Sequence, residues 1–271
     1  MTKPDDEGYD RLYREFESPL SKKMRAAAYV RDIGQHSWVS AEELEEVIPQ
    51  LGLSASSRVL DLGCGPGGPL TFLAQETGCR GIGLDLSAPA IAAARQRATG
   101  LGLQTRLDFQ QGDLDEPLPF PAGTFDAALA LDVILHVRNR EKLFGEIARV
   151  LKPGARFFFT DAGVLTGTVT EEEKRLRAST APLQFVAPGV NERALESAGF
   201  HLIECQDSTK NVLAVAKGRL SSRALYRDEI KAQEGDTEFA KQQLYLETVA
   251  ALSERRALSR MSYLAAITRT G

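Results

Sequence analysis

The chain has few of the residues that staple small proteins or hold metals. Three cysteines occur in 271 residues (Cys64, Cys79 and Cys205), far apart and odd in number. They make neither a disulfide framework nor a zinc ligand set, so metal independence is expected. Histidine is also scarce, at three. No apolar run reaches the ~18 residues of a membrane span. The N-terminus, MTKPDDEGYDRLYREF, lacks the apolar core of a signal peptide. Basic residues are not in excess: 33 Lys+Arg stand against 37 Asp+Glu, a formal net charge of −4. That balance gives no electrostatic case for nucleic acid or a membrane surface as partner. A cytoplasmic protein is expected. Asparagine occurs three times and arginine outnumbers lysine 23 to 10, which hints at a high-GC bacterial source. With 43% hydrophobic and 26% charged residues, the chain is long and apolar enough to bury a sizeable core.

Residues 1–57 read as helical. Ser40 and Glu43 form a capping box ahead of Leu44, Val47, Ile48 and Leu51 at helical spacing. From Arg58 the pattern alternates. RVLDL (58–62), GIGLDL (81–86), part of 105–113, FDAALALDV (125–133) and ARFFFTD (155–161) read as strands. Helices lie between them: Pro69 suits the first turn of one, Ser87 and Asn139 cap two more, and Lys152-Pro153-Gly154 stops the last. Such alternation implies right-handed crossovers and a parallel sheet covered on both faces. The rhythm then breaks. A short helix starts at the Thr170/Glu173 capping box and another spans about 190–198. FHLIEC (200–205) reads as a sixth strand, residues 208–258 as helical and 260–269 as a last strand.

The most informative stretch is Val59-Leu60-Asp61-Leu62-Gly63-Cys64-Gly65-Pro66-Gly67-Gly68, a strand turning sharply into a helix. Glycines let backbone approach a ligand, and the helix N-terminus offers free N–H groups. Gly63, Gly65 and Gly68 spell G-x-G-x-x-G, which alone is compatible with a dinucleotide and a nicotinamide-dependent oxidoreductase. Asp61 opposes that reading, because a carboxylate beside a pyrophosphate is unfavourable. Beside a sulfonium and an α-amino group it is welcome.

This motif resembles the class I S-adenosylmethionine-dependent methyltransferases of the small-molecule type. The resemblance extends to Asp85 in GIGLDLS, Gly112-Asp113, FDAALALDVILHV and RVLKPGARFFFTD, over roughly residues 55–206. It implies an α/β, three-layer, doubly wound and mostly parallel seven-stranded sheet with its last strand antiparallel, plus helical cap insertions. It implies S-adenosylmethionine as cofactor, with the Gly63, Cys64, Gly65 and Gly67 turn under its methionine part. Asp61 would help hold the amino group and Asp85 the ribose hydroxyls, with Leu86 against the adenine. Asp113 would accept from the 6-amino group, flanked by Leu114. Leu131 and Asp132 would line the methionine end.

His136, after the fourth strand, is the best candidate general base. Asp161, ending the fifth strand, is a second candidate catalytic group. Tyr29, His36 and Trp38 are candidates for a lid or acceptor contact. One methyltransferase domain is expected over 1–271: an N-terminal cap segment (1–57), a Rossmann-like core (58–207), a helical insertion (208–258) and a last strand (259–271). The expected function is methyl transfer to an O, N or C atom of a small metabolite, in bacterial secondary metabolism, by a monomer or homodimer. The alternative is a protein that binds S-adenosylmethionine without transferring methyl.

Overall fold

The computed structural model describes residues 6–268. Seven strands form one sheet: β1 (Arg58–Leu62), β2 (Arg80–Asp85), β3 (Leu107–Gln111), β4 (Phe125–Leu131), β5 (Leu151–Leu165), β6 (Phe200–Asp207) and β7 (Leu258–Ile267), in the order β3-β2-β1-β4-β5-β7-β6. Neighbours among β1–β5 pair in parallel, whereas β7 runs antiparallel to both β5 and β6. The expected topology is therefore observed. β3 and β1 lie on opposite sides of β2, and β4 lies beyond β1, so the chain reverses direction across the sheet at β1/β4. Ligands of open α/β sheets bind in the crevice outside the carboxyl ends at such a point.

Alternation along the strands sends residues to two cores. Leu60 and Leu62 join Phe125, Phe144, Phe157 and Phe159 on one face. Val59 joins Leu44, Leu70, Ile91 and Phe109 on the other. The helices that cover these faces begin where the sequence signals them. Ser40, Ser87 and Asn139 accept from backbone N–H groups at the starts of α3 (Ala41–Leu51), α5 (Ala88–Gly100) and α6 (Arg140–Val150). α4 (Gly68–Thr77) starts directly from the glycine turn.

The remaining helices gather above the carboxyl ends. They are α1 (Asp6–Arg14), α2 (Pro19–Ala28), α7 (Glu171–Arg177), α9 (Thr209–Leu225), α10 (Arg227–Glu234) and α11 (Asp236–Glu254); α8 (Val190–Ser197) instead joins α6 under the sheet. Tyr29 and Trp38 from the N-terminal segment share an apolar cluster with Val212, Val215, Tyr245 and Val249 from α9 and α11. α2 and α9 pack closely because Gly218 has no side chain: a Cβ there would sit 2.1 Å from the Ala28 carbonyl oxygen. Among the described residues, no helix is long and apolar enough to cross a membrane.

Several boundaries differ from expectation. α6 ends at Val150 and β5 begins at once, so Lys152-Pro153-Gly154 lies in a bulge within β5 rather than in a loop; Phe125 pairs with Leu151 and Ala127 with Arg156. β5 also continues to Leu165, because β7 pairs with it as far as Leu258. Residues 208–258 are three helices, broken at Tyr226 and Gly235, and end at Glu254. β7 runs Leu258–Ile267; Arg269, the last residue of the expected strand, lies outside the described residues.

Candidate functional site

A cavity of about 410 Å³ opens at the carboxyl ends of β1, β2 and β4. Its floor is the turn after β1. Gly63 (φ 65°) and Cys64 both donate to the Leu84 carbonyl, at 2.7 and 3.1 Å. A Cβ on Gly63 would sit 2.4 Å from Val133 Cγ2, so glycine is required by both torsion and space. Cys64 is buried, with burial pushing its thiol well up, so it is held as an inert thiol.

Two aspartates flank this turn. Asp61 is 1% exposed, and its Oδ2 has no hydrogen-bond partner. Burial, then the charge of Asp85, pushes its carboxyl up to about 8. An orphaned buried carboxylate oxygen fits a cationic amino group as its missing partner. Asp85 is positioned by the backbone. Its Oδ2 accepts from Gly65 N–H at 2.8 Å and its Oδ1 from Ser87 N–H at 2.9 Å. Burial raises its carboxyl, opposed by those two bonds. Leu86, 40% exposed, presents an apolar surface at the rim. Asp113 and Leu114 line the adjacent wall, and Asp113 Oδ1 accepts from Asp115 N–H at 2.9 Å.

Leu131 and Asp132 reach the cavity from the end of β4. Asp132 adopts φ 55°, rare for a non-glycine. Its carboxylate is fully used: Oδ2 accepts from Trp38 N–H at 2.8 Å, and Oδ1 from Thr160 Oγ1 at 2.9 Å and Arg260 Nε at 2.7 Å. It therefore anchors the N-terminal segment rather than offering a free carboxylate.

His136 ends a 3-10 turn, Ile134–His136, at the cavity wall. Its Nδ1 lies 3.1 Å from the Pro182 carbonyl oxygen, which can only accept. Nδ1 must therefore donate, leaving Nε2 unprotonated and able to accept. Tyr9 Oη lies 3.5 Å from that Nε2. Burial lowers the His136 pKa, so the imidazole is neutral near pH 7 and able to take a proton.

The cap closes the opposite side. Tyr9 and Tyr13, one helical turn apart on α1, lie with Phe16 around His36 at ring separations of 5.7–6.4 Å. Burial and then the Arg219 charge hold His36 well below the usual histidine range. Trp38 lines the cavity, as do Arg177, Arg219 and Tyr245.

The structure gathers most of the residues read from sequence at this one cavity, with three exceptions. Tyr29 sits behind the wall; its hydroxyl donates to the Ser37 carbonyl at 3.1 Å and accepts from Arg219. Gly67 also lies outside the lining, packed where a Cβ would meet Ala94 and Phe109 at about 3 Å. Asp161 is the clear correction. It is fully buried below the cavity, accepting from Arg140 Nη1 and Asn191 Nδ2 at 2.9 Å each and from Gly163 N–H at 2.8 Å. Strand alternation puts it on the same face as Phe157 and Phe159, toward α6 and α8. It is a structural carboxylate. Sequence reading missed Tyr9, Asp10, Tyr13, Arg177, Arg219 and Tyr245. The Tyr9/Tyr13 spacing of four residues was the only local signal for any of them.

Residues 60–159 match the family model described as a methyltransferase domain. The chain is 35% identical over 127 residues to the methyltransferase GfsG of Streptomyces halstedii, covering 47% of this chain and 45% of that protein. The chain spans less than half the length of the curated relatives it matches first. Among solved structures, a candidate sarcosine dimethylglycine methyltransferase from Galdieria sulphuraria superposes with a TM-score of 0.81 at 18% identity, over 99% of this chain and 100% of that one. The [4+2]-cyclase SpnF superposes with a TM-score of 0.74 at 22% identity, over 97% and 96%. These two likenesses are of fold. The match over residues 60–159 falls on the glycine turn and the strand-end aspartates, so this stretch resembles a methyltransferase domain set in a sheet of the Rossmann-like methyltransferase order.

Proposed function

We propose that this protein transfers a methyl group from S-adenosylmethionine to an O, N or C atom of a small metabolite enclosed beneath the helical cap. The observation that carries this reading is the unpartnered, buried Asp61 carboxylate oxygen beside the glycine turn, in the same cavity as a histidine whose unprotonated Nε2 faces Tyr9 Oη at 3.5 Å. The cofactor, when bound, supplies an electrophilic methyl on a sulfonium.

The chain's own residues do the rest. Asp61 holds the cationic amino group. Asp85, already oriented by Gly65 and Ser87, accepts from the ribose hydroxyls. Leu86, Asp113 and Leu114 take the adenine. Trp38, tied by its backbone to Asp132, and the α1 tyrosines exclude water and align the acceptor for in-line attack. The bound cofactor would supply the methyl, its sulfur keeping the electron pair of the bond given up. His136 Nε2 takes the proton that an O–H or carbon acceptor gives up; an amine acceptor needs only to arrive neutral.

In this reading the whole chain works as one unit, with 58–207 as core and 1–57 and 208–258 as cap. Its setting is the cytoplasm of a bacterium and its acceptors belong to secondary metabolism, in keeping with the Arg-rich composition and the likeness to a Streptomyces methyltransferase. A monomer or homodimer suffices, because every proposed contact lies within one chain. A second reading is cofactor binding without methyl transfer; a protein named for a different reaction, a [4+2]-cyclase, shares the fold. Incubation with methyl-labelled S-adenosylmethionine and small-molecule extract separates the two. Formation of S-adenosylhomocysteine with label in a new metabolite supports transfer; a bound but unconsumed cofactor across extracts supports the second reading.

A further inference from the structure

We infer that the methyl acceptor carries an anionic oxygen group, a carboxylate or a phosphate, held between Arg177 and Arg219 at the cap end of the cavity. The inference rests on the methyl-transfer reading of that cavity. The lining carries Asp61, Asp85, Asp113 and Asp132 at the strand ends, Asp10 from α1 and an Arg138–Asp115 pair, while Arg177 and Arg219 enter from α7 and α9.

Arg177 is the informative residue. Five arginines are buried among the described residues. Arg25, Arg140, Arg223 and Arg260 each have a carboxylate partner. Arg177, only 4% exposed, has none within 4.0 Å among the described residues. It ends α7, and among the described residues its guanidinium donates from Nη1 to Tyr245 Oη at 2.9 Å. A buried cation without a counter-charge is costly, so the natural complement is an anion delivered with the ligand.

Arg219 supports the same end. Its Nη2 donates to Tyr29 Oη and to the carbonyls of His36 and Ser37, which fixes the guanidinium against the cap. It too has no carboxylate within 4.0 Å among the described residues. Both guanidinium carbons lie over the Trp38 ring, 5.7 Å away for Arg177 and 4.7 Å for Arg219, so one indole orients both. Paired planar forks suit the oxygens of a carboxylate or phosphate.

The test is calorimetry on the full chain with three probes that share a benzene ring suited to the aromatic walls: phenyl phosphate, phenylacetate and benzyl alcohol. Each is titrated with and without saturating S-adenosylhomocysteine. At least one anion is expected to bind about tenfold tighter than benzyl alcohol, or better. The stronger anion tells phosphate from carboxylate. Arg177→Gln and Arg219→Gln are each expected to erase the preference while leaving S-adenosylhomocysteine affinity unchanged. Equal binding of all three probes, or a preference that survives both substitutions, overturns the proposal. So does a variant that loses S-adenosylhomocysteine but keeps the anion preference, because the arginine then serves the cofactor. If the wild-type chain binds no S-adenosylhomocysteine, the methyl-transfer reading fails, and the cofactor-free titrations still decide the role of the arginines. Should Arg177→Gln not fold, the half-buried Arg219 carries the test through its own variant.

Discussion

Arg260 Nε donates to Asp132 Oδ1 at 2.7 Å, joining the last strand to the end of β4 across 128 residues of chain. The same guanidinium donates through Nη1 to both oxygens of Glu43, at 2.7 and 3.0 Å, and to Ser208 Oγ at 2.9 Å. Asp132 in turn accepts from Trp38 N–H. One fully buried arginine thus ties α3, the start of α9, the end of β4 and the cap segment together. Arg260→Met should cost about 3–5 kcal/mol of stability, because Asp132 and Glu43 would stay buried without their counter-charge. Denaturant unfolding measures it. A loss below ~1 kcal/mol would mean the network is dispensable.

Asp61 has a pH signature. Its folded-state carboxyl titrates at about 8, above the ordinary aspartate value of 3.8, so the folded state holds the proton more tightly than the unfolded chain. Its contribution is intact below pH ~4 and is lost as pH rises toward 8. Asp61→Asn should therefore gain stability relative to wild type across that window, read as a growing difference in unfolding free energy. Cofactor binding pairs the carboxylate with a cation and so favours its ionised form. Below pH 8 binding should release a proton, seen as a dependence of calorimetric heat on the buffer's ionisation enthalpy. Asp61→Asn should abolish that release.

Gly63→Ala should remove cofactor binding and cost about 1–3 kcal/mol, since φ 65° disfavours a side chain and the new methyl would meet Val133. Adding Val133→Ala relieves the collision but not the torsion, so only part of the stability should return. Thermal unfolding of the single and double variants separates the two causes.

His136→Ala should cut turnover by about 10²–10⁴ with cofactor affinity unchanged, if the acceptor gives up its proton in the reaction. Because burial lowers the histidine pKa, wild-type turnover should hold through pH 6.5 and fall only on further acidification. Undiminished turnover in the variant would make His136 a bystander.

The sheet end of the site was legible in the sequence because it is local. A turn built from Gly63 and Gly65, with aspartates at successive strand ends, is written in contiguous residues. The cap end was not. Arg177, Arg219 and Tyr245 come from three helices that meet Trp38 only through tertiary packing, and no spacing links them. Asp161 was misplaced for a definite reason: a strand-end position suggests the crevice, but alternation along β5 turns its side chain to Arg140 and Asn191. The bulge at Lys152-Pro153-Gly154 also escaped, because the same residues that stop a helix fit an irregular strand entry.

The most direct test of the account is calorimetric titration of the purified chain with S-adenosylmethionine and S-adenosylhomocysteine, beside Asp85→Ala. The account predicts that wild type binds both, and that losing the Asp85 carboxylate weakens binding at least about tenfold, roughly 1.4 kcal/mol. Absence of binding to either compound, or an Asp85→Ala variant with wild-type affinity, would contradict it.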